Sequence, residues 1–158
     1  MRTQLIDAEI EPVTLSEVRA YIGIKRADDT ARDMQITAQI KAARVWIEGT
    51  INRALITQTY LETLDVFTDR IYLLKNLQSV TSIKYLDVTN TLQTLSPSIY
   101  YVDLIGGMVG LDIGKSWPAI SDRKNSIQIQ YLCGYGEDGS FVPQDLKEAI
   151  KWLVGHWE

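Results

Sequence analysis

Apolar residues recur at helical spacing near both ends of the chain and at strand spacing through its middle. Ile36, Ile40, Ala43, Ile47 and Ile51 fall four and three residues apart and make one face of a long helix. Asp28-Asp29-Thr30 stands just before them, with oxygens suited to the free amides and positive dipole end of a helix start. Trp46 sits beside this stripe, and the helix is predicted to end near Asn52. Arg44 and Glu48 are four apart on another face and read as a solvated pair, worth roughly a few tenths of a kcal/mol. Upstream, Thr14-Leu15-Ser16-Glu17 has capping-box spacing, Leu15, Val18 and Ile22 share a face, and Gly23 suits a left-handed stop. That helix is short, roughly two to three turns, and must lean on something else. The last helix opens at Pro143, where a missing amide proton costs nothing. Leu146, Ala149, Ile150, Leu153 and Trp157 read as its core stripe, while Glu148, Trp152 and His156, each four apart, form a second line on a different face.

Between these helices the composition turns to Thr, Tyr, Ile, Val and Leu with turn residues between short runs. Strands are expected over 57–66, 70–74, 80–87, 91–95, 100–105, 108–113 and 126–132. In the last, Ile127, Ile129 and Tyr131 alternate with Gln128, Gln130 and Leu132. Gly106-Gly107 suits a tight hairpin, Asp87-Val88-Thr89-Asn90 a longer one, and Trp117-Pro118 a loop. No helical pattern separates the runs, so the sheet should be antiparallel. The fold class is therefore α+β: a small helical bundle, two N-terminal helices and one C-terminal helix, with a large inserted antiparallel β-sheet. The chain is expected to be a single domain over 1–158, helical over about 13–53 and 142–158, with a strand-rich insertion over about 55–132.

Composition narrows the function classes. The chain has 158 residues and a net charge of -4, with 46% hydrophobic and 23% charged residues, ordinary globular fractions that argue against intrinsic disorder. Its basic pairs, Lys25-Arg26 and Arg123-Lys124, are scattered and lie beside Asp. Tight phosphate gripping needs concentrated Lys and Arg, so the balance argues against tight nucleic-acid binding, though not against transient passage of DNA. Cys133 is the single cysteine and cannot close an intrachain disulfide. No stretch has the roughly 18 uninterrupted apolar residues of a membrane span. The start, Met-Arg-Thr-Gln-Leu-Ile-Asp-Ala-Glu, carries acids where a secretory leader needs an apolar run, so a soluble cytoplasmic product is the expectation. The end, Trp157-Glu158, lacks a helix stop, which leaves open an abrupt end or a further tail.

No catalytic, cofactor or metal site emerges. Gly134-Tyr135-Gly136-Glu137-Asp138-Gly139 fits GxGxxG, but the next helix begins too late to aim its amides at a pyrophosphate, and Glu137-Asp138 would repel one. It reads as a turn. His156, the single histidine, has no nominated nucleophile or orienting acid. Asp28, Asp29 and Asp33 lack the glycine and terminal Glu of a calcium loop and read as helix caps. Cys133 reads as a small buried hydrophobe. Trp152 is less easily absorbed: the core stripe of its helix is already filled, and Trp is over-represented in binding interfaces. A Trp packed on the sheet is the alternative.

Three segments in order carry a family resemblance: Val13-Thr14-Leu15-Ser16-Glu17-Val18 through Asp28-Asp29 to Ile40-Lys41-Ala42-Ala43-Arg44 and Trp46-Ile47-Glu48; Asn52-Arg53-Ala54-Leu55-Ile56-Thr57-Gln58-Thr59; and Gly134-Tyr135-Gly136, Val142-Pro143, Leu146, Ala149-Ile150, Leu153-Val154 and His156-Trp157. The chain resembles the head–tail connector, or adaptor, proteins of long-tailed bacteriophages and prophages. It departs from them at Ile51-Asn52-Arg53, where Thr-Gly-Arg is common, and at Cys133, where a small polar residue or Ala is usual. Asn also tolerates a left-handed conformation, so the turn survives. Relatives commonly continue past the His-Trp pair.

The resemblance implies a structural, non-enzymatic virion protein that forms a ring, dodecameric in the family, below the portal. It would extend the DNA channel and offer a platform for the next neck protein. Its partners would be the portal protein, a neck stopper protein and itself; genomic DNA would pass without specific binding, and no membrane is involved. It would reside at the head–tail interface of the virion, and in the host cytoplasm during assembly. Glu148, Trp152, His156 and Trp157 are the expected partner-interface residues. The rival readings are another neck or tail component, a stopper or tail terminator, and a small-molecule-binding enzyme using the GxGxxG turn.

Overall fold

The computed structural model describes residues 1–25 and 29–158. Arg26 of the first basic pair and Asp28 of the expected helix start lie outside the described residues. The chain divides into two compact units, Ala8–Thr57 with Tyr135–Glu158, and Met1–Asp7 with Gln58–Gly134.

The first unit holds α1 (Leu15–Tyr21), α2 (Thr30–Ile51) and α3 (Gln144–Trp157). The Thr14 hydroxyl accepts the Glu17 amide at 3.1 Å, and Glu17 accepts the Thr14 amide at 2.7 Å, completing the capping box. Those bonds, the backbone one first, hold the Glu17 carboxyl below its ordinary range. α1 stops as its sequence dictates. Gly23 takes φ +77, its amide donates to Ala20 at 3.3 Å, and Ile24 reaches back to Arg19 at 3.0 Å. Asp29 caps α2 by accepting the Arg32 amide at 3.0 Å, and Asn52 ends it in the left-handed region at φ 53.

Ile36, Ile40, Ala43 and Ile47 fill the core with Val13, Val18, Leu55, Ile56, Val142, Ile150 and Val154, and Ile51 packs at its margin. Two expectations are corrected in this unit. Arg44 does bond Glu48, at 2.9 Å, but its side chain is 0% exposed, so the pair is not solvated. Glu11 supplies the second carboxylate at 2.7 Å, which is how a buried guanidinium is tolerated. On α3, Val154 is buried and Trp157 is 42% exposed, so Trp157 leaves the core stripe. Trp157 is the last residue of α3, one turn beyond Val154, and the end of α1 packs at Gly155, where a Cβ would lie 3.3 Å from the Tyr21 ring. Trp46 is 58% exposed.

In the second unit the expected strands form as β2 (Gln58–Leu64), β3 (Arg70–Tyr72), β4 (Leu77–Leu86), β5 (Leu92–Thr94), β6 (Tyr100–Asp103), β7 (Met108–Leu111) and β8 (Ile127–Cys133). A strand with no sequence expectation, β1 (Arg2–Ile6), precedes them. All pairings are antiparallel, in two sheets ordered β1-β2-β8-β4-β5 and β3-β7-β6. In β8 Ile127, Ile129, Tyr131 and Cys133 are buried while the residues between them are half-buried, as the alternation requires. β1 is an edge strand exposed along its whole length. The Arg2 guanidinium donates to Glu62 at 2.9 Å on β2, its register partner. The β6–β7 hairpin needs Gly107: at φ +66 a Cβ there would lie 2.7 Å from the Leu74 carbonyl. Among the described residues no helix is long and apolar enough to cross a membrane.

Candidate functional site

The sequence nominated four residues of α3. Three of them, Glu148, Trp152 and His156, lie on its exposed face. Their spacing of four stacks them one turn above another. Glu148 accepts Gln144 at 2.7 Å and Lys151 at 2.8 Å, and these bonds, Lys151 first, hold its carboxyl below the ordinary range. Trp152 is 64% exposed. Its ring stacks on the His156 imidazole with centroids 6.2 Å apart and planes 18° apart. The stack places the two rings as one flat surface at the end of the helix.

That surface forms one wall of an open groove of about 510 Å³. Trp152 and His156 meet Tyr21 and Ile22 from the end of α1 and Arg32 from the start of α2, over a floor at Gly155. Arg32 joins Glu158 through two nitrogens, at 3.1 and 3.0 Å, so the rim carries a closed ion pair and not a lone charge. Gln35 adds a contact to Glu158 at 3.4 Å. The groove thus sets aromatic rings beside an ion pair, and its exposed lining is more polar than apolar. Glu148 and Trp157 lie outside it, although both are exposed.

Sequence reasoning missed Tyr21 and Arg32. Tyr21 is 49% exposed at the last position of α1, and its only visible sign was a large aromatic just before the stop at Gly23. Arg32 lay in the capping turn of α2 and carried no sign of a link to α3.

The remaining candidates resolve into structure. In the GxGxxG segment a Cβ at Gly136 would strike the Phe141 ring, and one at Gly139 the Pro12 carbonyl oxygen, so both glycines serve close packing. Asp138 closes on Ser140, accepting its hydroxyl at 2.5 Å and its amide at 2.8 Å, and those bonds, the hydroxyl first, hold its carboxyl below the ordinary range. α3 starts only after Pro143, so its amides are not aimed into that turn. Asp33 pairs with Arg19 at 2.9 Å. Cys133 is buried at the end of β8. Among the described residues no group of three or more His, Cys, Asp and Glu is placed to hold a metal.

Residues 11–158 match the family described as HCP: Head completion protein. No curated protein matches the chain. Three solved assemblies contain a chain of similar fold. In the neck of an empty gene transfer agent particle, computed with C6 symmetry, the TM-score is 0.84 at 21% identity, covering 99% of this chain and 83% of that one. In the virion of the native gene transfer agent particle it is 0.81 at 21%, covering 99% and 83%. In the neck of the native particle, computed with C12 symmetry, it is 0.79 at 20%, covering 99% and 82%.

Proposed function

Because the chain belongs to the head completion protein family, we propose that it is a structural component of the head–tail neck of a phage-like particle, acting as an adaptor below the portal. The match over residues 11–158 carries this reading. The similar chains sit in particle necks with C6 and C12 symmetry, which supports a ring in which every copy of this chain occupies an equivalent place. The ring would extend the DNA channel and present a platform to a stopper. A dodecamer is the copy number the connector resemblance suggests.

The chemistry of the chain suits that task. A net charge of -4 would not trap phosphates in a channel through which DNA must move. The groove walled by Trp152 and Tyr21 offers flat aromatic rings beside a neutralised ion pair, features suited to binding. Glu148, Trp152, His156 and Trp157 form the surface through which this unit docks on the portal or on its neighbours. No catalytic step is assigned to the chain.

The test is electron microscopy of particles from cells lacking this protein. DNA-filled heads with a bare portal are expected. Heads that retain a complete neck beneath the portal would instead make the protein a tail terminator, and particles of normal infectivity would remove it from the neck.

A further inference from the structure

Resting on the ring proposed above, we infer that the outer face of α2 is covered, in the assembled neck, by the aromatic face of α3 from an adjacent copy of this chain. The inner side of α2 already fills the core with Ile36, Ile40, Ala43 and Ile47. Its opposite side is mostly apolar, with Gln35 and Thr37 as exposed polar residues near its start. Met34, Ala38, Ala42, Val45, Trp46 and Gly49 are all exposed, with Met34 at 70%, Val45 at 52% and Trp46 at 58%. From residue 34 to residue 50 the one charged side chain on that exposed side is Lys41. A surface helix ordinarily carries charge opposite its core stripe, and a helix apolar on both sides belongs inside something. Contiguous exposed apolar surface of this kind marks an interaction site.

A second copy fits that face for three reasons. A head-to-tail ring joins two unlike patches of each subunit, and α2 and α3 present such a pair. Ala38, Ala42 and Gly49 leave shallow gaps, with open space around Gly49, whereas α3 projects the Trp152 ring stacked on His156. The exposed charge on the α2 stripe is the positive Lys41, and α3 exposes Asp145 beside a Glu148 already joined to Lys151, so Asp145 is the acid whose sign attracts across the contact.

The size of the face sets when it is used. The stripe from Met34 to Gly49 is roughly 24 Å long at about 1.5 Å per residue, and at about 10 Å wide it covers roughly 240 Å². A stable pair needs about 800 Å² per partner. Two free copies are therefore held too weakly, and the contact forms where copies are already seated side by side, at high effective concentration.

Cross-linking reads the contact directly, because Cys133 is the single cysteine and is fully buried. The chain carrying Ala42→Cys with His156→Cys is assembled into particles and treated with a short bismaleimide. A ladder of covalent multimers is expected from the double variant and from neither single variant. Monomer alone from the double variant, with the protein present in necks at the wild-type level, overturns this contact and leaves the ring reading standing. Multimers from Ala42→Cys alone, or a product of that variant with a different virion protein, also overturn it, because the α2 face would then meet itself or another partner. Absence of the wild-type chain from necks overturns the ring reading itself. In a second variant, Ala42→Glu, the exposed position should leave the fold intact by circular dichroism while neck occupancy falls by about tenfold, equivalent to about 1.4 kcal/mol. Wild-type occupancy of that variant overturns the contact.

Discussion

The Arg44 guanidinium grips the Glu11 carboxylate through two nitrogens, Nε at 2.7 Å and a terminal one at 3.2 Å, across 33 residues of chain. Its other terminal nitrogen reaches Glu48 at 2.9 Å, and the second oxygen of Glu48 accepts the Leu55 amide at 2.8 Å. One buried cation thus ties the segment before α1, the body of α2 and the chain leaving α2. Arg44→Ala would strand two carboxylates whose side chains are only 24% and 10% exposed. Breaking a buried pair from one side costs about 3–5 kcal/mol. Urea denaturation of Arg44→Ala should show that loss, and Arg44→Lys a smaller part of it, because an ammonium cannot bridge both acids in the plane of a guanidinium. Equal stability of all three proteins would mean that the triad contributes nothing.

Gly139 is required by its neighbour and not by its own torsion angles. A Cβ there would overlap the Pro12 carbonyl oxygen and lie 3.0 Å from the Pro12 carbonyl carbon, and backbone cannot swing aside as a side chain would. Gly139→Ala should therefore destabilise the chain by about 1–3 kcal/mol. Gly49→Ala, in the exposed interior of α2 with nothing within 4 Å, should stabilise it by about 1 kcal/mol. Thermal melts of the two variants should move in opposite directions. A Gly139→Ala melt at or above wild type would remove the packing account of the GxGxxG glycines.

What the sequence disclosed and what it concealed divide by range. The capping box at Thr14, the stop at Gly23 and the alternation in β8 are local patterns, and each appears in the fold where the residues placed it. β1 escaped because Arg2–Ile6 has no apolar alternation; it is a strand only because β2 offers an edge and Glu62 a partner for Arg2. Arg44 looked solvated because its nearest acid in sequence, Glu48, suffices for a surface pair, and Glu11 becomes visible only in three dimensions. Val154 and Trp157 continue the same helical stripe three residues apart, but Val154 reaches the core while Trp157, at the last position of α3, is 42% exposed. The spacing of Glu148, Trp152 and His156 gave their shared face, but the groove depends on Tyr21 and Arg32, which tertiary packing brings there.

Asp87 makes the β4–β5 hairpin pH-dependent. Its Oδ1 accepts the Thr89 hydroxyl at 2.6 Å, the Thr89 amide at 2.8 Å and the Thr91 amide at 3.0 Å, while Oδ2 accepts Gln93 at 2.9 Å. These bonds, the Thr89 hydroxyl first, pull the carboxyl from 3.8 down to about 2. A depressed carboxyl stabilises above its unfolded value and loses that stabilisation as pH falls through the folded one. The hairpin should thus be intact above about pH 4 and loosen as pH falls toward 2. Amide exchange at Thr89 and Thr91 should rise across that interval in wild type and stay level in Asp87→Asn. A carboxyl titrating near 3.8 by nuclear magnetic resonance would contradict the geometry.

Trp152 separates docking from folding. Its side chain is 64% exposed and rests on the His156 ring, so removal should leave no cavity in the core. Trp152→Ala is therefore expected to keep its helix content and its melting temperature. A Trp anchor in an interface carries more than about 1 kcal/mol, so the same variant should lose more than about fivefold in assembly affinity. Co-expression with wild-type chain gives the measurement, since both compete for the same neck positions and are counted by mass spectrometry of purified particles. The variant should be under-represented by at least that factor relative to its share in the cell. Equal incorporation, with the fold intact, would take Trp152 out of the docking surface and leave Tyr21 and Trp157 as the aromatic residues through which that end of the helical unit could still bind.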